Sequence, residues 1–247
     1  MLNNLQYRVL TKIAPHEPQT MSGSTYDGKS KIGVLLGSDL LALIRDKTVI
    51  DFGCGDGVAT LDLARHGARK VIGIDIRQHA LDEAVRHAAD AGLSNCCEFS
   101  TGTSTKADVI ISLDAFEHFG DPAAILRIMH SLLVPGGFVM ASFGPTWYHP
   151  LGGHLFSVFP WSHLLFSEVA LIRWRADIRP DGATRFSEVD GGLNQMTIAR
   201  FERIVSQSPF RIELLETVPI RKLTPLHSRL TREFTTAIVR TKLVAKE

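Results

Sequence analysis

The sequence predicts an α/β fold built on a Rossmann-like, doubly wound and mostly parallel sheet. Apolar segments rich in β-branched residues alternate with segments of helical spacing through residue 143. A glycine-rich turn follows the first strand, and the second strand ends on an acid. Such alternation implies parallel strands joined by right-handed helical crossovers. We therefore expect a ligand site at the carboxyl edge of the sheet.

The first strand and its turn are the stretch around which the chain is organised. Residues 48–57 read TVIDFGCGDG, an apolar strand that runs into three glycines. These glycines lack a Cβ, so the turn can be tight and a ligand can approach the backbone. The helix predicted at 58–65 points its free N–H groups back over the turn. The next strand, 70–74, ends at Asp75, whose carboxylate can accept both hydroxyls of a ribose.

The remaining elements are predicted from spacing and from turn residues. Helices are expected at about 30–44, 80–91, 122–133 and 197–207, and strands at 97–100, 108–113, 138–143, 211–219 and 231–244. The last two strands are expected to pair antiparallel. In the helix at 122–133 the residues expected to face the sheet are Ile125, Ile128, Met129 and Leu132. Residues 1–30 are interpreted as an N-terminal arm with a short helix at Leu5–Ile13.

Between about residues 144 and 194 the alternation stops. All three tryptophans of the chain lie in this stretch, together with several histidines and phenylalanines. Because a long segment after the carboxyl end of a strand is where α/β proteins build binding sites, we interpret it as a cap over the substrate. Trp147 and Trp161 are the candidates for substrate contact. For most of the other aromatics, packing of the cap onto the body is the better interpretation.

The amino-acid composition indicates which binding partners and which cellular compartment to expect. The chain has 247 residues, 45% hydrophobic and 21% charged, with a net charge of +1 and no dense run of Lys or Arg. Nucleic acid is therefore an unlikely partner. No apolar run has membrane-spanning length and the first residues lack a signal-peptide layout, so we expect a cytoplasmic protein with no membrane partner. The oligomeric state is left open. Three cysteines, Cys54, Cys96 and Cys97, agree with a reducing compartment and are interpreted as packing residues.

Four motifs carry a family resemblance. VIDFGCGDG, VIGIDI, ADVIISLDAFEHF and LLVPGGFVMAS are similar to the motifs of the class I S-adenosylmethionine-dependent methyltransferases, with a type 11-like methyltransferase domain. The resemblance covers residues 30–143 closely and 196–245 by pattern. It implies a domain at 31–247 with a seven-stranded sheet, the cap inserted between strand 5 and the last helix, and S-adenosyl-L-methionine as cofactor.

The resemblance also implies which residues bind the cofactor. They are Asp51, Gly53, Cys54, Gly55, Asp75, Ile76, Thr103 and Leu113. Many relatives place an acid after the third strand to hold the adenine amino group, whereas this chain has the hydroxyl-rich loop 101–106. Thr103 is the candidate there. Segments before the first strand often close the cofactor pocket in this family, a role open to Tyr26 and Lys31, although a surface arm is an equal alternative.

The sequence DAFEH, directly after the fourth strand, is the candidate catalytic cluster. On a helical turn Asp114 and Glu117 share a face, with His118 beside them. The pattern resembles the acid-x-x-Glu-His motif of two O-methyltransferase groups that use a divalent metal: ubiquinone-pathway enzymes and enzymes that methylate small-RNA 3′ ends. Those families begin the motif with Glu, and the RNA group adds a histidine from beyond the fifth strand. Here His149, His154 and His163 are available, and we choose His154.

Three roles for the cluster stay open. Asp114, Glu117, His118 and His154 are a possible metal-ligand set, for Mg²⁺, Mn²⁺ or Fe²⁺. In the second interpretation His118 orders the pocket or acts as a general base without metal. In the third the cluster has no catalytic role. The candidate catalytic residues are His118, His154 and Glu117.

Methyl transfer to a small molecule, most simply to a hydroxyl oxygen, is the leading hypothesis. RNA-end 2′-O-methylation is weakened by the balanced charge. A non-catalytic S-adenosylmethionine-binding module is the alternative from another class, and a nicotinamide oxidoreductase is the residual one.

Overall fold

The structure is a computed structural model that describes residues 2–14, 31–37, 39–189 and 191–246. Tyr26 and most of the predicted N-terminal arm lie outside these residues. The helices are α1 (Leu2–Ile13), α2 (Lys31–Leu36), α3 (Asp39–Leu43), α4 (Val58–Arg65), α5 (Gln78–Asp90), α6 (Pro122–Leu132), α7 (Ser162–Leu165), α8 (Glu168–Ala176), α9 (Ile198–Ser206) and α10 (Arg232–Thr235). Short 3-10 helices cover His154–Phe156, Phe186–Glu188 and Arg221–Leu226. Within these ranges, no helix combines the length and apolar character needed to cross a bilayer.

A single sheet forms the centre of the molecule. Its strands are β1 (Thr48–Phe52), β2 (Lys70–Ile74), β3 (Cys97–Ser100), β4 (Ala107–Leu113), β5 (Leu133–Phe143), β6 (Phe210–Pro219) and β7 (Thr236–Ala245). Across the described residues the strand order is β3-β2-β1-β4-β5-β7-β6, in a seven-stranded sheet. The five strands from β3 to β5 pair parallel, and β7 pairs antiparallel with both β5 and β6. The predicted fold class is confirmed.

The central strands are buried because helices cover both faces of the sheet. Every residue of β1 is buried, which explains why three of its five residues are apolar, the exceptions being Thr48 and Asp51. One face carries a core that includes Phe116, Phe143 and Phe201. The other face packs against α2 and α4 through residues such as Leu35. The strand order reverses between β1 and β4, so a crevice forms at their carboxyl ends.

The structure differs from the sequence-based expectation in several elements. The predicted strand at 231–244 is wrong at its start, because Arg232–Thr235 form α10 and β7 begins at Thr236. The fifth strand begins at Leu133 and not at residue 138.

The predicted continuous helix at 30–44 is wrong, since it is divided into α2 and α3 after Gly37, which has a φ of +88°. Such a φ is outside the helical range and suits glycine. The predicted inward face of α6 is wrong at Ile128, which is 45% exposed. The buried stripe instead runs through Pro122, Leu126, Met129 and Leu132.

The cap forms a small core of its own between β5 and α9. Phe156, Leu171, Trp174 and Phe186 are buried together in it. Helix α1 joins this core through Leu10, which has no exposed surface. The first helix of the chain therefore packs on the cap and on α8.

Candidate functional site

The glycine turn lies at the carboxyl edge of the sheet between β1 and α4. The backbone N–H groups of Gly53 and Cys54 both donate to the Ile74 carbonyl, which fixes the turn to the end of β2. Gly57 has a φ of +81°, and a Cβ there would come within 2.8 Å of Ala84 and 3.0 Å of the Phe99 ring. Only glycine fits this position, where α4 begins close against α5 and β3.

Asp51 contributes a buried carboxyl directly beneath the turn. Its Oδ2 accepts a hydrogen bond from the Thr60 hydroxyl at 2.7 Å. Burial raises the pKa of Asp51 to about 6, and the Thr60 hydrogen bond opposes that rise. The carboxyl is therefore poised to respond to a charged group placed over the turn.

Asp75, the residue predicted to bind ribose, lies directly after the end of β2. Its Oδ2 accepts from the Gly55 N–H at 2.9 Å, and its Oδ1 accepts from the Arg77 N–H at 2.9 Å. The Arg77 guanidinium also bonds to both carboxylate oxygens. Burial by itself raises the pKa of Asp75, but the hydrogen bonds from Arg77 and Gly55 outweigh it and lower the pKa. Next to it, Ile76 is 90% exposed, an apolar side chain presented at the edge of this site.

The other residues predicted to bind the cofactor lie in the turn, or at or after the ends of neighbouring strands of the sheet. Cys54 is buried, and burial raises the pKa of its thiol, as expected for a packing residue. Leu113 is buried at the end of β4, the strand beside β1. Thr103 is half-buried, and its hydroxyl accepts from the Thr105 N–H at 3.1 Å. This local bond engages Thr103 within its own loop, so its role toward adenine stays a prediction.

A cluster of one carboxylate and two imidazoles lies at the carboxyl edge of β4 and β5. Glu117, His118 and His154 each place one ligand atom within 4.8 Å of the others. The rings of His118 and His154 have their centroids 5.3 Å apart. The first two residues follow β4 and the third comes from the cap, so the cluster joins the body to the cap. We call it the Glu-His-His cluster.

Glu117 is buried and only partly hydrogen-bonded. Its Oε1 accepts from the Gly144 N–H at 3.1 Å, whereas Oε2 has no hydrogen-bond partner among the described residues. Burial, followed by the charge of Asp114, raises the pKa of Glu117 to about 8. Burying a carboxylate with one oxygen that lacks a hydrogen bond costs free energy, unless the group is protonated or pairs with a cation.

His118 is held in one orientation by the end of the cap. Its Nδ1 lies 2.8 Å from the Gly192 carbonyl, which can only accept. Nδ1 therefore carries the proton in the neutral ring, and Nε2 has a free lone pair. Asn194 reinforces this contact, because its backbone N–H donates to the Glu117 carbonyl and its side chain donates to the Phe116 carbonyl.

His154 reaches the cluster because two glycines precede it. A Cβ on Gly152 would lie 2.2 Å from the Thr146 carbonyl oxygen, and one on Gly153 would lie 2.4 Å from the Cβ of His163. The chain can therefore pass this closely only with glycine at both positions. Nδ1 of His154 is buried without a hydrogen-bond partner in the described part of the chain. Burial, together with nearby His118, lowers the pKa of His154 to about 4, so the ring is neutral.

Asp114 does not join the cluster, contrary to the expected four-ligand set. Its Oδ2 pairs with the Lys31 ammonium at 3.3 Å. It also has a φ of +49°, an uncommon conformation outside glycine that turns the chain sharply at the end of β4. The geometry thus reduces the predicted set to three residues and brings Lys31, from α2, to the edge of the site.

The other cap histidines have structural partners. His163 donates from Nε2 to the Trp147 carbonyl at 2.7 Å and contacts the Ser157 hydroxyl through Nδ1 at 3.3 Å. His149 accepts from the Leu151 N–H at 2.9 Å. Trp147 is half-buried against His163 and Phe186, so the cap core holds it. Gly144, Gly192 and Asn194 were not predicted from the sequence as supports of the cluster, since they contact it from positions 27 to 78 residues further along the chain.

The donor set fits a divalent cation. Glu117 Oε2 and His154 Nδ1 are buried atoms without partners among the residues described, and His118 Nε2 adds a lone pair oriented by its bond to Gly192. Two imidazoles and a carboxylate are ligands that first-row divalent metals accept. With three protein ligands, such an ion would keep positions open for other oxygens.

Comparison with known proteins agrees with the fold and the turn. Residues 44–150 match the protein family described as "Methyltransferase domain". A ubiquinone biosynthesis O-methyltransferase from Aeromonas salmonicida is 35% identical over 102 residues, which is 39% of this chain and 42% of that relative. The match thus spans less than half the length of the relative.

Two solved structures show the same fold over nearly the whole chain. Magnesium protoporphyrin IX methyltransferase from Synechocystis PCC 6803, with SAH bound, has a TM-score of 0.56 and 18% identity, and the match covers 99% of this chain and 96% of that one. A [4+2]-cyclase has a TM-score of 0.57 and 14% identity, with 98% and 94% covered. Because the fold also carries a cyclase, activity must be argued from the site. Residues 44–150 thus match a family described as a methyltransferase domain, and the chain shares the fold of these solved structures.

Proposed function

We propose that this protein transfers a methyl group from S-adenosylmethionine to a hydroxyl oxygen of a small molecule. The observation that carries the proposal is the position of the Glu-His-His cluster. It follows β4 at the carboxyl edge of the sheet, and β4 is the immediate neighbour of the strand that leads into the glycine turn. A cofactor held over the turn and Asp75 would therefore have this cluster on its acceptor side.

The chain's own residues supply alignment and exclusion of water. Gly55 and Asp75 fix the ribose end, and the cap covers the opposite side through the contacts of His118 and Asn194. S-adenosylmethionine, when bound, supplies an electrophilic methyl group. Correct alignment of an acceptor with such a group can contribute about 7–11 kcal/mol to catalysis. Nε2 of His118, free of a proton in the neutral ring, can accept the proton that a hydroxyl loses.

The same atoms would hold a divalent cation, through Glu117, His118 and His154. When bound, the cation would lower the pKa of an acceptor hydroxyl. Coordination through Nε2 would then replace proton acceptance by His118. The unpartnered Glu117 Oε2 and His154 Nδ1 favour this arrangement, because both are left without compensation otherwise.

Methyl transfer is tested by incubating the protein with a metabolite extract and isotope-labelled S-adenosylmethionine, followed by mass spectrometry. We expect label in a hydroxyl-bearing small molecule. Label in RNA alone, or binding without turnover, would overturn the proposed function.

The cation is tested by titrating the protein with Mn²⁺ in a calorimeter and by assaying activity with a chelator. Glu117→Gln and His154→Asn should each weaken Mn²⁺ binding by roughly tenfold or more. His149→Asn, in the same cap but outside the cluster, is the matched control and should leave the affinity unchanged. Activity that persists in a chelator would exclude a required cation and favour His118 as the proton acceptor.

A further inference from the structure

The connection between β6 and β7, residues 220–235, projects at the same edge of the sheet as the candidate site. β7 runs antiparallel to β5, and Val239 near its start pairs with Phe143, the last residue of β5. The connection therefore lies at the carboxyl edge. It also touches the cap, since the Phe234 and Tyr148 rings have their centroids 5.3 Å apart.

This connection exposes large apolar side chains to solvent. Leu230 is 92% exposed and Leu226 is 64% exposed, and Phe234 is exposed beside them. Across the contact with the cap, the rings of Tyr148 and Trp161 extend the apolar surface, joined by a hydrogen bond from the Trp161 indole N–H to the Tyr148 carbonyl. Several exposed apolar residues on this connection and on the cap segment that it contacts mark an interaction surface, unlike a single exposed leucine.

Two side-chain hydrogen bonds of His227 stabilise the conformation of this connection. Nε2 of His227 lies 2.9 Å from the Thr217 hydroxyl, and Nδ1 lies 2.7 Å from the Thr235 hydroxyl. These bonds tie the middle of the connection to β6 and α10. The leucines are therefore presented on an ordered scaffold, so binding through them would cost little conformational entropy.

Basic residues accompany the apolar ones. The connection contains Arg221, Lys222, Arg229 and Arg232 and the single acid Glu233. The Glu233 carboxylate is engaged, because it accepts from two backbone N–H groups at the start of α9, and Arg232 pairs with Glu202. Arg221, Lys222 and Arg229 are exposed and have no ion pair with any described residue. The outward surface is thus apolar and cationic together.

We propose that residues 220–235, with Tyr148 and Trp161, attach the protein to an anionic lipid surface. Exposed leucine and aromatic side chains enter the boundary between headgroups and acyl chains, while nearby Arg and Lys pair with anionic headgroups. A second copy of this chain is the less suitable occupant. A twofold contact through these leucines would bring the same three basic residues of each copy together. The proposal departs from the sequence-based expectation of no membrane partner. That expectation rested on the lack of a membrane-spanning segment, which surface attachment does not require.

The test is co-sedimentation of the full chain with vesicles of phosphatidylcholine, with and without phosphatidylglycerol. We expect binding only to vesicles that contain phosphatidylglycerol, and weaker binding at high salt. Leu226→Ser with Leu230→Ser, and separately Arg221→Ser with Arg229→Ser, should each lower the partition coefficient roughly tenfold or more. The matched control pairs Ile128→Ser with Arg127→Ser, two exposed residues of α6.

Circular dichroism confirms that each variant is folded, and light scattering reports its oligomeric state. No binding of the native chain to either vesicle would overturn the proposal. Equal loss of binding in the α6 control would overturn it too. A dimer that dissociates when the leucines are replaced, without lipid binding, would assign the surface to a second copy. None of these results depends on methyl transfer, so failure here and failure of the proposed function are distinguishable.

Discussion

Asp51 is a buried carboxyl whose ionisation should be detectable in the stability of the protein. Its pKa is raised to about 6 by burial, above the value near 4 expected in an unfolded chain. The folded state therefore keeps this proton to a higher pH than the unfolded state. The contribution of Asp51 to stability falls as the pH rises from about 4 to about 6 and is constant above that.

Asp51→Asn should remove this loss, because the amide stays neutral and can still accept from Thr60. Relative to the native chain, the variant should gain about 3 kcal/mol of unfolding free energy between pH 4 and pH 7. Urea denaturation at several pH values measures the difference. Asp56→Asn, in the same turn but exposed, provides the baseline. An unchanged difference between native chain and Asp51→Asn across this range would contradict the assignment.

Asp75→Ala should weaken binding of S-adenosylmethionine by roughly 10- to 150-fold, the range for losing a hydrogen bond to a charged group. The reason is its position at the tip of β2, where Gly55 and Arg77 already orient the carboxylate. Calorimetric titration gives the affinity, and Asp82→Ala, on the exposed side of α5, is the control. Native affinity in a folded Asp75→Ala variant would remove Asp75 from the site.

Single residues show where prediction from sequence stops. Glu117, His118 and Asp75 could be proposed because each follows a strand at a fixed topological position. The bond from His118 to Gly192 could not, because 74 residues separate its partners and the acceptor is a backbone carbonyl. Lys31 was named as a possible pocket residue, but its pairing with Asp114 depends on how α2 docks against the sheet.

At the scale of elements, a regular hydrophobic pattern was sufficient to predict the buried strands. Local interruptions of a helix could not be predicted from the same pattern. The buried strands β1, β2 and β4 follow directly from their apolar runs. The division of the predicted helix at 30–44 could not be read from the spacing of its apolar residues, since both halves keep that spacing across Gly37. The bounds of the cap could be predicted, but its individual helices could not. Short helices in a segment without regular periodicity are fixed by tertiary contacts.

The cap should open more readily than the sheet when the pH falls. Burial lowers the pKa of His149 to about 4 and also lowers the pKa of His163. Once exposed in an opened cap, each would titrate near 6.5. Neutral histidines thus favour the closed cap above pH 6.5, and this contribution is lost as the pH falls toward 4.

Hydrogen exchange, corrected for its intrinsic pH dependence, measures this opening. Between pH 7 and pH 5, protection in residues 144–194 should drop by about 2 kcal/mol from His149 alone, and His163 should add to the drop, with a smaller change in β1 and β4. His149→Asn should reduce the drop, whereas His79→Asn, at an exposed position in α5, should not. Uniform loss of protection across sheet and cap would show that the cap has no separate opening.

At the scale of the whole molecule, the body and the cap come together at the Glu-His-His cluster. The cluster's carboxylate and one imidazole follow β4, while the other imidazole and the supporting backbone groups come from the cap and its end. Helix α1 then packs on the outer side of the cap through Leu10. A ligand held between the turn and the cluster would therefore bind two parts of the molecule at once, and should stabilise both.

This coupling predicts that S-adenosylmethionine raises the melting temperature of the whole chain in one transition. A ligand at about a hundred times its Kd stabilises the folded state by about 2.7 kcal/mol. For a chain of this size that corresponds to an increase of roughly 5–10 °C. Differential scanning calorimetry with S-adenosylmethionine, with its demethylated product and with NAD separates the candidates. We expect shifts with the first two and none with NAD, because the turn has Gly57 one residue earlier than the dinucleotide pattern places its third glycine. The Asp75→Ala variant should lose most of the shift, and a larger shift with NAD would assign the site to a nicotinamide cofactor.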